Sequence, residues 1–431
     1  MNPAGRRPGW IIHWAWLILG AGFLDLFVNY SVRLGYGVVL PEMIRDLGLS
    51  RTAGGTIYNA YLFTYIALTP LTGWLTDRIG ARRVIPACLA VLGLGVLLMA
   101  RVSSLEGACL AYALVGVGAT GIWTPVLAVV QRWFAPRRRG LALGILSTGY
   151  GLGFAAVGAF FPLVAMQYGW RHTWTILGAA ALILVVVNGV LLRNDPASCG
   201  TTAWGGEGDG DAPVRSGTAL PAGGLREEIL RNPTFWWIGL SYFCISYSLY
   251  GITTFMVDYA RDQVGLSLGA ASFLATIHGS FQVLGALTIL PLSDRLGRKR
   301  TILFSNGCIA LAVLGIVAAG SSQAALSALV AVFAIFYGVT FAIYGACAGD
   351  YFPSRMMGTV IGAWTPLYGA GAILSHWVGG ILRDRLGTYD IAFMLDAGMA
   401  VVAVVLFLFV GKRPKRSSEA PNHPDREEAK P

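Results

Sequence analysis

The chain has 431 residues, 55% of them hydrophobic and only 13% charged, where a soluble domain carries about 25% charge. That balance excludes an ordinary soluble protein. The net charge of +10 comes from Lys and Arg set at the ends of apolar stretches, which excludes a nucleic-acid partner.

Twelve apolar stretches of the length that crosses a bilayer, about 17–25 residues, follow one another. They lie near 12–40, 53–76, 84–101, 105–131, 140–166, 173–193, 233–257, 268–293, 301–320, 324–350, 358–382 and 390–411. With no water in the hydrocarbon core to satisfy the backbone, each must be a helix, so the fold class is an all-α membrane protein. The start, MNPAGRRPGWIIHWAW, places positive residues before an apolar run as a signal peptide does. That run is too long and lacks a small-residue cleavage site, so it is expected to stay as span one.

On span one, Asp25, Asn29 and Arg33 stand four residues apart, which on a helix puts them on one face. Such groups inside a membrane are costly and are candidates for a transport path rather than a catalytic site. Arg33 suits a carboxylate because a guanidinium donates two parallel hydrogen bonds. Pairing with Asp25 or reaching the outer interface are the alternatives for it. Asp25, near mid-span, is a candidate proton carrier.

Further along, span four carries Trp123-Thr-Pro125 and span five Tyr150. Residues 194–224 are rich in Gly, Ser, Thr and acidic residues, a flexible linker, and 225–232 (LREEILRN) has the pattern of a short amphipathic helix. Span seven holds Tyr247 and Tyr250 and ends at Asp258, beside Tyr259 and Arg261, where a surface role is the expectation. Span eight holds His278 and Gln282 at four-residue spacing; imidazole titrates near neutrality, making His278 a second proton candidate. Tyr337 and Tyr344 on span ten, with Trp364-Thr-Pro366 and Tyr368 on span eleven, extend the aromatic set, and a proline break can free backbone groups towards a cavity. The tail after Lys412 is charged and is expected to be disordered.

Two motifs recur half a chain later. GWLTDRIGARR at 73–83 returns as LPLSDRLGRKR at 290–300, and RWFAPRRRGLALG at 132–144 returns as DYFPSRMMGTVIG at 350–362. Nearly equal offsets predict two six-helix halves of like topology, 1–193 and 233–411, joined by a linker, 194–232, with a tail, 412–431. Repeats of this kind place a substrate site near mid-membrane between the halves. Most Lys and Arg fall on the side that holds both termini, so the positive-inside rule puts both termini in the cytoplasm. The six cysteines show no CxxC spacing, and neither a metal site nor a disulfide framework follows. No GxxxxGK[ST] loop is present, so ATP-driven transport by this chain is not expected.

The loop Gly73, Leu75, Asp77, Arg78, Gly80, Arg82, Arg83, with its copy Leu292, Asp294, Arg295, Gly297, Lys299, Arg300, resembles the signature of the major facilitator superfamily at both of its usual places. The resemblance implies twelve helices in two pseudo-symmetric bundles that expose a central site alternately to each side. It also implies no enzyme activity, no cofactor and a monomer as the functional unit. Gly73, Asp77, Arg78, Arg82, Asp294 and Arg295 would form the gate whose charge contacts close the cytoplasmic side in the outward-open form.

A narrower resemblance lies at span five. Arg138, Arg139, Leu141, Ala142, Gly144 and Gly149 are similar to part of the monocarboxylate transporter signature, and the region looks like bacterial lactate transporters and oxalate/formate exchangers. Trp133 and Phe134 stand one residue further off than that family's aromatic pair, and its signature before span one is reduced to Gly9 and Trp10. Where animal members have Asp-x-x-x-Arg in span eight, this chain has His278 and Gln282. In related transporters an acid at the end of span seven, here Asp258, takes part in proton coupling. The resulting expectation is proton-coupled symport of a small monocarboxylate such as lactate across a cytoplasmic (inner) membrane. A carrier or exporter of a neutral solute is the alternative. Asn29, Arg33, Trp123, Tyr150, His278, Gln282, Tyr344, Trp364 and Tyr368 would contact substrate; Asp25, Asp258 and His278 would serve the proton.

Overall fold

The computed structural model describes residues 13–206, 231–320, 322–352 and 357–411. The helix expected at 225–232, most of the linker and the tail lie outside the described residues, apart from the helix's last two positions. Within the described residues there is an all-helical bundle: α1 (Trp14–Leu47), α2 (Arg51–Ile79), α3 (Ala81–Met99), α4 (Leu105–Ala119), α5 (Trp123–Trp133), α6 (Pro136–Tyr168) and α7 (Trp170–Leu191) in the first half. The second half contributes α8 (Pro233–Asp258), α9 (Leu268–Leu296), α10 (Arg298–Ala318), α11 (Gln323–Tyr351), α12 (Met357–Leu386) and α13 (Asp390–Leu408). The twelve spans are these helices with α4 and α5 taken as one.

Local chemistry sets the ends. Ser50, Ser104, Ser267 and Ser322 each precede a helix and accept a backbone N–H from its first turn, satisfying donors that a helix cannot satisfy itself. Gly80 (φ 85°) and Gly297 (φ 87°) turn α2 into α3 and α9 into α10, a conformation that other residues adopt only under strain. That is why glycine recurs at this place in both motif copies. Span four breaks at Thr120–Ile122, just before Pro125, whose ring cannot continue an uninterrupted helix. Pro366, in contrast, lies inside a continuous α12, so the second Trp-Thr-Pro does not break its span.

Ten of the twelve spans are long and apolar enough to cross a membrane on composition alone; α2 and α12 fall short. The reason is where they sit, since they pack on one another across the two halves. Gly55 lies where a Cβ would come 2.7 Å from the His376 carbonyl oxygen, and Gly380 where it would come 2.7 Å from Thr52 Cα. Polar side chains dilute the hydropathy of both helices and face each other: Trp377 donates to Thr56 Oγ1 at 3.2 Å, and Asn59 Nδ2 to the Ile373 carbonyl at 3.0 Å.

The bonds that tie the halves together run from mid-bundle to the end remote from the chain termini. There α8 continues into a π-helical turn, Tyr259–Gln263, of the kind that clusters at functional places. Arg51 Nε lies 3.1 Å from Asp258 Oδ2, and its terminal nitrogen pairs with Asp262. Arg45 pairs with Asp262, and Arg261 with Glu42 at 2.9 Å. Asp384 of the second half caps the first turn of α2, accepting from the amides of Arg51 and Thr52 at 2.9 and 2.8 Å, a favourable place for an anion. At the opposite end Gly73, Gly140, Gly144 and Gly362 have open space where a Cβ would stand. The described ion pairs between the halves thus gather at the far end, which they hold shut.

The linker's first residues are less free than their composition suggests. Trp204 N donates to the Trp133 carbonyl and Ala135 N to the Trp204 carbonyl, at 2.9 and 3.0 Å. The Trp204 ring meets Trp16 at 5.0 Å between centroids, and Arg138 lies over it at 5.6 Å. Residues up to 206 are thus pinned to the first half, because a tryptophan in a polar segment finds apolar surface to cover.

Candidate functional site

Arg33 lies midway along α1, in the space between the halves, and is only 9% exposed. Its guanidinium carbon is 5.8, 5.7, 5.1 and 5.8 Å from the ring centroids of Tyr30, Tyr61, Tyr65 and Tyr250. One nitrogen donates to Tyr250 Oη at 2.5 Å, while Nε has no partner. Three helices build this cage. Tyr61 and Tyr65, four apart on α2, share a face with Tyr58; Tyr30 is one turn back on α1; Tyr250 comes from α8 in the other half. Cation–π contacts of this kind are worth about 0.5–2 kcal/mol each, and they hold the charge without neutralising it. Among the described residues no carboxylate pairs with Arg33.

Asp25 is not its partner. Four-residue steps advance a helix by about 40° each, so Asp25 and Arg33 diverge by about 80°. Asp25 is fully buried against α7, where Oδ1 accepts from Asn188 at 2.6 Å and Oδ2 has no partner. Asn29, between them, is buried with its carbonyl oxygen unpartnered. The three residues therefore do not present one surface to the cavity.

Beside the cage, His376 of α12 bridges the halves. Its Nδ1 is 2.7 Å from Asn59 Oδ1 and its Nε2 2.9 Å from Thr254 Oγ1, with its ring 4.7 Å from that of Tyr58. Asn59 Nδ2 is already committed to a carbonyl, so its oxygen faces the imidazole. Nδ1 then carries the proton and Nε2 accepts from the threonine. Sequence reasoning missed His376, Asn59, Tyr30, Tyr58, Tyr61 and Tyr65. The signals were present: a histidine inside a span, and tyrosines three and four apart on one helix face.

The other candidates fall in different places. Trp123 sits at the centre, 6.1 Å from Tyr30 and 6.0 Å from Phe341 of the opposite half. Tyr150 packs 4.0 Å from Tyr30 and shares a hydrogen bond of 2.9 Å with Tyr337 across the halves. Tyr368 meets Tyr250 at 5.8 Å. His278 and Gln282 are buried with none of their side-chain nitrogen or oxygen atoms partnered; the imidazole packs on Tyr337, Phe154 and Phe333. Tyr344 is bonded to Ser241 and Asn306 within the second half, and Trp364 donates to the Phe235 carbonyl there at 3.1 Å; neither contacts the cage.

Asp258 is a correction. The expected surface residue is fully buried, because Arg51 and Tyr389 close on it: it holds Arg51 and accepts from Tyr389 Oη at 2.6 Å. The motif residues Asp77, Arg78, Arg82, Asp294 and Arg295 are exposed at the end that carries the termini. Arg78 lies over Trp74, and Asp294 pairs with Arg298 in its own half. Gly73 on α2 has open space around it.

A charged site buried between two six-helix halves that ion pairs latch at one end fits alternating access, and the chain matches the Major Facilitator Superfamily over residues 18–268 and 238–431. The chain belongs to this superfamily. It is therefore an integral, multi-pass membrane transporter and not an enzyme. It is 25% identical to a hexuronate transporter of Bacillus subtilis, over 93% of this chain and 96% of that one. It is 24% identical to the oxalate:formate antiporter of Oxalobacter formigenes, over 95% and 94%, on the branch that the span-five motif resembles. A solved structure of the nucleoside transporter NupG superposes with a TM-score of 0.76 at 14% identity, covering 93% of this chain and 100% of that one, which shows the shared fold.

Proposed function

We propose that this superfamily member carries a small organic anion, a monocarboxylate of lactate size in the first instance, in symport with a proton across the cytoplasmic membrane. The observation that carries the reading is Arg33: a nearly buried guanidinium between the halves, held by tyrosine rings and by no carboxylate. A buried charge left without a counter-ion costs several kcal/mol, and an anionic substrate would supply the counter-ion. A site that both halves contact, through Arg33 and Tyr250, would close around it. Two relatives named for carboxylate substrates fit this reading.

Both termini are assigned to the cytoplasm by the bias of basic residues, which makes the ion-paired end the outer one, closed in this state. The proton is assigned first to Asp25 and Asp258, buried carboxyls that each keep one unpartnered oxygen, and next to His278. The gating role of Asp77, Arg78, Arg82, Asp294 and Arg295 belongs to the opposite, outward-open state.

The test is uptake of labelled lactate and other small carboxylates into liposomes holding the purified protein, with and without an inward acid gradient. Gradient-stimulated uptake lost in Arg33→Ala supports the reading. Uptake of a neutral solute that Arg33→Ala leaves intact would replace the anion by a neutral substrate.

A further inference from the structure

We infer that the body of the transported anion is a flat aromatic ring, so that the preferred substrate is an aromatic monocarboxylate of about benzoate size. This rests on the anion reading above, keeps its monocarboxylate on Arg33, and replaces lactate by a larger, aromatic acid as the preferred substrate.

The walls around Arg33 are the ground for it. Rings that merely pack a core are covered on all sides, yet here Tyr65, Trp123, Tyr150 and Tyr368 are only half-buried and Phe341 is 48% exposed. None of these is placed on an outer surface. Tyr65 lies against Arg33 itself, Trp123 and Tyr150 against Tyr30, and Tyr368 against Tyr250 and Phe341. Trp123 and Phe341 face each other from opposite halves. Unfilled ring surface therefore surrounds one cation on both sides of the cleft. Aromatic groups prefer offset or edge-on partners at centroid distances of about 4.5–7 Å, and a planar body attached to the carboxylate on Arg33 meets them.

The polar inventory argues against the other carboxylates. A sugar acid needs a hydrogen-bond partner for each hydroxyl, or its burial is penalised. Around Arg33 much of the polar inventory is committed: Tyr250 on the guanidinium, Tyr150 on Tyr337, and His376 on Asn59 and Thr254; the Tyr61 hydroxyl and the Asn29 side-chain carbonyl oxygen are buried without partners, which leaves little for a row of hydroxyls. The unpartnered His278 and Gln282 are fully covered, with Tyr337 packed on the imidazole. A dicarboxylate would leave its second charge without a cation, and a lactate methyl is too small to cover the rings.

The experiment is calorimetric binding of benzoate, lactate, glucuronate and benzyl alcohol to the purified full chain, with Arg33→Ala, Trp123→Leu and Phe341→Leu alongside. Benzoate should bind at least about tenfold more tightly than lactate or glucuronate, which is about 1.4 kcal/mol and the scale of one or two ring contacts. Arg33→Ala should abolish that binding, and Trp123→Leu or Phe341→Leu should weaken benzoate more than lactate. If one of the two ring variants does not fold, the other carries the comparison. Lactate or glucuronate binding as tightly as benzoate, still dependent on Arg33, overturns the aromatic body and leaves the anion reading standing. Benzyl alcohol matching benzoate, with Arg33→Ala indifferent, overturns both.

Discussion

Replacing Arg51 by alanine removes the cation that meets Asp258 at the closed end of the bundle. Asp258 is fully buried in this state, and without Arg51 its carboxylate keeps only the hydroxyl of Tyr389. Stripping the partner from a buried charge costs about 3–5 kcal/mol. The remaining hydrogen bond and the partial exposure of Arg51, 26% of its side chain, reduce this to about 2–3 kcal/mol. The penalty falls on the closed far end alone, because parting the halves hydrates Asp258. The ratio of closed to open far end should therefore fall by about 30–150-fold. Nitroxides on Ser103→Cys and Gln323→Cys, exposed positions at that end of either half, in a background with the native cysteines replaced, report the separation by double electron–electron resonance. Arg51→Ala should move the population to longer distances. Adding Asp258→Asn should restore part of the shorter population, since neighbouring mutations of one pair are not additive. A distance distribution unchanged by Arg51→Ala in folded protein would show that the pair does not latch this end, and the reasoning would fail.

Three further outcomes are expected. Asp25→Asn keeps the hydrogen-bonding shape beside Asn188 but cannot carry a proton; exchange across the liposome membrane should persist while accumulation driven by a pH gradient falls at least about tenfold, and full gradient-driven uptake would remove Asp25 from the coupling. His376→Ala strands Asn59 Oδ1 and Thr254 Oγ1 in a buried place, at a cost of about 1–3 kcal/mol, so the melting temperature should drop by a few degrees in a thermal-shift assay. An unchanged melting temperature would mean that the bridge contributes nothing. Trp204→Ala unpins the start of the linker from Trp16 and Phe134, which proteolysis at 197–206 should detect as faster cleavage at unchanged Arg33-dependent binding; equal cleavage rates would contradict the pinning.

How legible the molecule was differs by element. The twelve spans, the repeated motif loop and the superfamily could be read from the chain, because a bilayer forces apolar runs into helices and a turn between helices demands glycine at one φ. The α2 and α12 spans were also read as apolar stretches, although their composition is too polar for the criterion that the other ten meet. The candidate site was read unevenly. Arg33 was found because a guanidinium inside a span is conspicuous, while the tyrosines around it look like ordinary packing residues until three helices converge.

By itself, then, the sequence determined what its local physics dictates: which segments must be helices, where they stop, and which buried charges need a reason to exist. Tertiary structure alone decided the rest. A turn of about 40° per four residues separates Asp25 from Arg33, yet only the packing of α7 shows where each points. Asp258 reads as a surface residue until Arg51 of the other half and Tyr389 enclose it. His376 meets Asn59 from the other half of the chain, a contact that no local pattern encodes, because partners so far apart in sequence are chosen by the geometry of the closed bundle.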